Sequence, residues 1–430
     1  MRTGFLAVAA LAVLLAPLAA SGAAQTASTG TLPRGGVYTM TEDPTLASAA
    51  IDLWFRAPSN GYDGTSPGLA RLSATAAAAT TLAGGRSLVA LVRSVGGSLA
   101  IDVYPDMVGV SAVVPATVAR RVVATMSAAY FEPAITDDAL KIARTDLAVL
   151  AAQQRYYPDD LVHNALFAEL FSAGPAHVAP IPDELGAIKS ITLEAANDFA
   201  KRAFRSANAT FALAGNVDPS LLDAVTAGSP GTADAPIVST VAPAPQNETI
   251  DAAVAGQGVA WTGPPISDER AATAMDFVAD YLFRDGTGIV SKTIDPTSDN
   301  YVNGQFITLH DPGVMLVSIG GSKSTAIETQ VVSAVESMRT PLDPAAFAAA
   351  RQAFLYHLAA DSQTPDEQAA NLGWYATEGN AAYAPSSDQS AYWKAAESLD
   401  PQYVASVVKR YLAHPVEVHL IATTTKDSAS

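Results

Sequence analysis

The sequence predicts an α+β protein made of two homologous α/β-sandwich domains, each a mostly antiparallel sheet with helices packed on it. Two observations carry this. One is an internal repeat held in register. The segment Ile135-Thr136-Asp137-Asp138-Ala139-Leu140 to Arg144 matches Leu342-Asp343-Pro344-Ala345-Ala346-Phe347 to Arg351 at an offset of 207 residues. Pro158-Asp159-Asp160 and Pro365-Asp366-Glu367 keep that offset, as do Pro105 and Pro312, and Lys201-Arg202 meets Lys409-Arg410 at 208. The other is the stretch 227–248, AGSPGTADAPIVSTVAPAPQNE, whose Pro, Ala, Gly and Ser suit an extended linker between the copies. The expected layout is a signal peptide over 1–24, one domain over 25–226, the linker, and a second domain over 249–430.

The elements follow in order. Arg2 precedes the apolar run from Phe5 to Leu18, and small residues follow to Ala24. That is the pattern of an export signal cut after Ala24, with an uncleaved membrane anchor as the alternative. In no later segment does an apolar run approach the roughly 20 residues of a helical span, so a soluble periplasmic or secreted protein is expected. Ile51, Leu53 and Phe55 alternate as in a half-buried strand. Ser66-Pro67 reads as a helix start and Gly84-Gly85 as its stop. Val108, Val110 and Ala112, like Met315, Val317 and Ile319, alternate along a strand in each copy. Leu140, Ala143, Leu147 and Leu150 mark one face of a helix. Phe211, Leu213 and Gly215 close the first copy as a short strand.

Composition excludes several functions. The 430 residues carry 25 Lys and Arg against 42 Asp and Glu, a net charge of −17, with no basic run to meet nucleic acid phosphates. With no cysteine, disulfides, thiolate metal sites and cysteine nucleophiles are impossible. Hydrophobic residues at 49% place the chain among core-forming proteins rather than disordered acidic ones.

A set of short matches, in order along the first copy, resembles the pitrilysin/insulinase-type zinc metallopeptidases, which include the mitochondrial processing peptidase. Leu32-Pro33-Arg34-Gly35-Gly36 is similar to that family's opening L-P-N-G segment, and Trp54 with Ala57-Pro58-Ser59 to its tryptophan strand. Gly68-Leu69-Ala70 stands where the signature helix begins, and Val95-Gly96-Gly97 at a later double-glycine turn.

The family's chemistry lies in H-x-x-E-H on that helix, where two His hold zinc and the Glu activates its water. On the matching register Arg71 occupies the first ligand position, Ala74 the base position and Thr75 the second ligand position. Arg offers no lone pair and Ala no proton acceptor, and Thr is a poor zinc ligand. A guanidinium there would also repel a divalent cation, on the scale of about 4 kcal/mol per unit charge at an effective dielectric near 20. No slip of register restores a histidine, because residues 60–90 contain none. The third ligand, a Glu on a later helix, falls near Ala151 or Ala152, where the only nearby acid, Asp146, reads as facing the surface.

No replacement site is evident. His163 reads as a surface ring beside capping acids, His357 as partly buried structure, and His414 and His419 as edge-strand histidines facing opposite sides. Gly320-Gly321-Ser322-Lys323-Ser324 lacks the full phosphate-loop spacing and reads as a strand-to-helix turn. Tyr301 is placed like a family tyrosine that helps hold substrate backbone, although a tyrosine packed by its own sheet is an equal reading. The companion arginine is missing, and Lys292, the nearest base, lacks the forked guanidinium.

The resemblance therefore implies a non-catalytic homologue with no metal or other cofactor. Chains of this length in the family pair, one partner often lacking zinc. A heterodimer with a zinc-bearing homologous subunit, the two enclosing unfolded peptide, is the leading expectation. A stand-alone envelope peptide-binding or assembly scaffold is the alternative.

Overall fold

The computed structural model describes residues 27–243, 247–361, 363–379 and 390–422. The expected signal peptide over 1–24 lies outside the described residues. The first sheet holds β1 (Ser28–Thr31), β2 (Val37–Glu42), β3 (Ser48–Arg56), β4 (Ser98–Val103), β5 (Met107–Pro115) and β6 (Ala209–Gly215). The second holds β7 (Glu248–Ala252), β8 (Gly256–Thr262), β9 (Tyr301–Ile307), β10 (Val314–Gly320) and β11 (Val416–Ala422). Their spatial orders are β1-β2-β6-β3-β5-β4 and β7-β11-β8-β10-β9, so β6 and β11 occupy the same place in the two sheets. Among the described residues only β2/β6 and β11/β7 pair in parallel, and every other ladder is antiparallel.

The helices of the first half are α1 (Leu69–Ala79), α2 (Leu88–Ser94), α3 (Ala119–Phe131), α4 (Asp137–Gln154), α5 (Pro158–Leu170), α6 (Ile181–Ser190) and α7 (Leu193–Ala203). Those of the second are α8 (Glu269–Phe283), α9 (Ser324–Ser337), α10 (Pro344–Ala360), α11 (Pro365–Glu378), α12 (Ala391–Glu397) and α13 (Pro401–Tyr411). The chain is thus α+β, with a mixed, largely antiparallel sheet in each half.

One helix of each half crosses to the other. Pro158-Asp159-Asp160 and Pro365-Asp366-Glu367, the repeat pair at offset 207, open α5 and α11, and it is these two helices that exchange. The side chains of α5 pack with Ala260, Leu316 and Val418 of the second sheet, whereas those of α8 and α9 pack with Val259, Trp261 and Val317. Successive strand residues face opposite sides, so α5 covers the face that its host half leaves bare. In turn α11 packs on β3 and β6 through Ala50, Ala212 and Ala214.

Small residues permit the approach. A Cβ on Gly373 of α11 would stand 2.3 Å from the Trp54 ring, and one on Gly258 of β8 would stand 2.2 Å from Val162 of α5. The alternation along β3 therefore does not mark one wet face, as expected from Ile51, Leu53 and Phe55. Seven consecutive residues of that strand are buried, because α11 closes its other side.

Other boundaries differ for local reasons. Helix α1 starts at Leu69 behind Gly68, whose φ of 75° only glycine adopts freely, rather than at Ser66-Pro67. It ends at Thr80, and Gly84-Gly85 lie in the following turn. Leu150, 40% exposed, lines the two cavities described below and is not part of the core, where Ala151 is buried. Glu248, assigned to the linker's end, is the first residue of β7. The described part of that linker is extended and fastened to both halves. Asp234 pairs with Arg205 at 2.6 Å and accepts from the Tyr62 hydroxyl, while the Ser239 amide donates to the Asp311 carbonyl. Among the described residues no helix is long and apolar enough to cross a membrane.

Candidate functional site

The two halves enclose a cavity of about 700 Å³. The last strand of each sheet order, β4 and β9, reaches it: Ile101, Asp102 and Val103 line one side, and Gln305, Phe306 and Ile307 the other. Edge strands carry a row of backbone N–H and C=O groups without ladder partners. Helices α1, α5 and α11 complete the wall with Arg71, Asp160, His163 and Trp374. Trp374 meets Tyr104 edge-on at 4.6 Å and Trp54 at 5.6 Å, and its indole N–H donates to the Thr308 carbonyl at 2.6 Å. That aromatic trio joins the halves at the cavity.

Arg71 faces this space from the first turn of α1. Its Nε donates to Glu184 Oε2 of α6 at 3.1 Å, with both side chains nearly fully buried. Burial pushes the Glu184 carboxyl up, and the Arg71 charge and hydrogen bond work against that shift. Ala74 is fully buried and contributes its carbonyl to the Tyr130 hydroxyl at 3.0 Å. Thr75 is half-buried, its hydroxyl donating to the Arg71 carbonyl at 2.8 Å. Arg71 and Thr75 share the wall of a second, smaller cavity of about 290 Å³ with Asp146. Ala151, near the expected third ligand, is core. The three motif positions thus come together as an ion-paired guanidinium, a methyl group and a bonded hydroxyl, which supply neither a lone-pair ligand nor a base.

The cavity is acidic. Asp102, Asp160, Asp276 and Asp361 line it against the one guanidinium of Arg71. Burial raises the Asp276 carboxyl to about 7, despite a hydrogen bond donated by Tyr392 at 2.7 Å. Burial also raises Asp102, with Arg71 opposing it. Arg284 holds Asp361 through both its terminal nitrogens.

Several expected residues lie elsewhere. Tyr301 sits at the start of β9, over Gly320, and is not among the residues lining the cavity. Burial and a hydrogen bond to Asp159 of α5 raise its hydroxyl well above the usual range. The residues of β9 that do face the cavity come at its other end. Lys292 is exposed. His163, read as a surface ring, lines the cavity instead, and burial there lowers its pKa. His357 is partly buried structure, paired with Asp280 at 2.9 Å. Strand β11 is interior rather than an edge, and His414 precedes it. The Gly320–Ser324 stretch is the turn from β10 into α9.

Sequence reasoning missed Glu184, Asp102 and Asp160. A signal existed for one: Leu99, Ile101 and Val103 alternate with Ala100 and Asp102, a strand that starts straight after the double-glycine turn at Gly96-Gly97.

Comparison with solved structures fixes the architecture. A protease from Helicobacter pylori matches with a TM-score of 0.74 at 14% identity, over 92% of this chain and 99% of that one. A peptidase M16 inactive domain from Pseudomonas fluorescens matches at 0.72 and 18%, over 93% and 98%. The fold is that of the M16 peptidases. A chain of complex III2 from Candida albicans shares it at 0.69 and 15%, over 91% and 95%. No family sequence profile and no curated protein matches the chain. M16 is the pitrilysin/insulinase grouping that the opening motifs resemble, and one inactive domain of it is among the neighbours.

Proposed function

We propose that this chain is a non-catalytic M16-type homologue that holds extended peptide in the cavity between its halves. The observation that carries the reading is the convergence of two edge strands, β4 and β9, on one cavity whose helix α1 bears no zinc ligand. An extended peptide can add to an exposed strand through its backbone, with side-chain pockets alongside giving selectivity. The carboxyl groups of Asp102 and Asp160 on the cavity wall favour cationic segments, and the net charge of −17 steers them in. The Pseudomonas fluorescens structure, an M16 domain named as inactive, supports the loss of chemistry within this fold.

The finer reading is an exported subunit that pairs with a zinc-bearing homologue, the two together enclosing unfolded peptide. The test is an affinity pull-down of the tagged chain from its own organism, followed by mass spectrometry and a peptide-cleavage assay. Co-elution of a zinc-bearing M16 chain near one to one, with cleavage requiring both chains, is the expected result. Elution alone and inert would overturn the pairing and leave the scaffold reading.

A further inference from the structure

A second polar cluster lies on the α9 side of the second sheet, away from the cavity. Glu417 and His419 stand two residues apart on β11 and so share a face. Glu328 reaches them from α9, its Oε1 3.0 Å from His419 Nε2. One ligand atom from each of the three lies within 4.8 Å of the others. Two ligands bound at about 2.1 Å around a tetrahedral cation stand about 3.4 Å apart, so Glu328 Oε1 and His419 Nε2 need separate by only a few tenths of an ångström to share one.

Three further observations single the cluster out. Gln257 lies directly across the ladder from His419 on β8. Its Nε2 donates to Thr325, one turn before Glu328 on α9, which holds the carboxamide between the same strand and helix. Gln257 is nine-tenths buried, and its Oε1 has no hydrogen-bond partner, an orphaned acceptor on the residue that faces His419 across the ladder. Glu417 is fixed from behind: Asn247 Nδ2 donates to its Oε2 at 3.0 Å, and its amide donates to Asn247 Oδ1 at 3.1 Å. Outer partners of this kind orient metal-binding carboxylates. Finally, the fold does not require the cluster. Strand β6, in the equivalent place of the first sheet, reads Ala-Thr-Phe-Ala-Leu-Ala-Gly and carries no ionisable side chain.

We infer that Glu328, Glu417 and His419, with the Gln257 carbonyl oxygen, form a binding site for a divalent first-row transition ion such as Zn²⁺. Two carboxylates and an imidazole are a donor set such ions accept. The site fastens β11 to α9 and has no connection to the first-helix positions where M16 chemistry resides.

The test is calorimetric titration of the chelator-stripped chain with Zn²⁺ alone. One equivalent binds, and Glu328→Gln and His419→Ala each weaken binding at least tenfold; His414→Ala, an exposed neighbour, leaves it unchanged. Bound Zn²⁺ also raises the melting temperature of the wild-type chain and not of His419→Ala. Should Glu328→Gln fail to fold, Glu417→Gln, at a half-exposed side chain, carries the same expectation. No uptake by the wild-type chain, or uptake untouched by all of these substitutions, overturns the assignment.

Discussion

Breaking the Arg71–Glu184 pair is the sharpest probe of the cavity wall at the start of α1. The guanidinium and carboxylate meet at 3.1 Å with 7% and 4% residue exposure. At an effective dielectric near 20, that separation corresponds to about 5 kcal/mol of attraction. Against it stands desolvation, strong enough to raise the Glu184 carboxyl in spite of its partner. Removing one member strands the other charge in the wall, which costs about 3–5 kcal/mol for a buried pair. Asp102 remains close enough to Arg71 to relieve part of that cost. Glu184→Leu alone is therefore expected to lower the unfolding free energy by about 3 kcal/mol at pH 7. The double replacement Arg71→Met with Glu184→Leu is expected within about 1 kcal/mol of wild type, because neither charge then remains to be solvated. Urea unfolding of the wild type, both single variants and the double variant closes the cycle. A single-variant loss below about 1 kcal/mol, or a double variant as destabilised as the two losses added, would refute the claim that the pair is a mutually dependent plug.

Other outcomes follow from neighbouring features. Burial raises Asp52 to about 8, Asp276 to about 7 and Asp106 to about 6. Folded carboxyls held above their unfolded value of about 4 bind protons more tightly, so their stabilisation is complete below pH 4 and is lost as pH rises through 6 to 8. Urea midpoints should fall between pH 5.5 and pH 8.5, and Asp52→Asn should flatten that fall and raise the midpoint at pH 8.5. Gly373→Ala and Gly258→Ala each press a methyl against the exchanged helix contact, at 2.3 Å from Trp54 and 2.2 Å from Val162, and should each cost about 1–3 kcal/mol in the same assay. A fluorescent Lys-rich extended peptide should bind with an affinity that falls as salt rises, and should bind more weakly to Asp160→Asn, measured by anisotropy. An N-methylated version, unable to donate to an edge strand, should not bind.

The fold was legible because duplication repeats its own evidence. Ile135–Arg144 and Leu342–Arg351 both became long helices, α4 and α10, and Pro158 and Pro365 both became the first residues of helices. What a linear pattern cannot hold is which sheet a helix serves. The glycines of β8 and the alanines of β3 and β6 are the trace of the exchange, since only small side chains let α5 and α11 lie close. Their spacing resembles weak strand propensity when read along one chain. The motif positions on α1 were readable at residue resolution, because the question there was chemical and local. Glu184 was not, for its partner lies 113 residues away and a lone Glu in a helix carries no sign of burial.

The exchange also explains how the cavity keeps its shape. Here the Arg71–Glu184 pair joins α1 to α6, and Trp374, carried by the exchanged α11, packs on Tyr104 and bonds the end of β9. Separating the halves would uncover Ala50, Ala212 and Ala214 on one sheet and Ala260, Leu316 and Val418 on the other, all fully or nearly fully buried. At about 25 cal/mol per Å² of apolar surface, exposing both faces costs far more than one ion pair supplies. The cavity is therefore held by the fold, and the Arg71–Glu184 pair adds to a wall that the exchanged helices already fix.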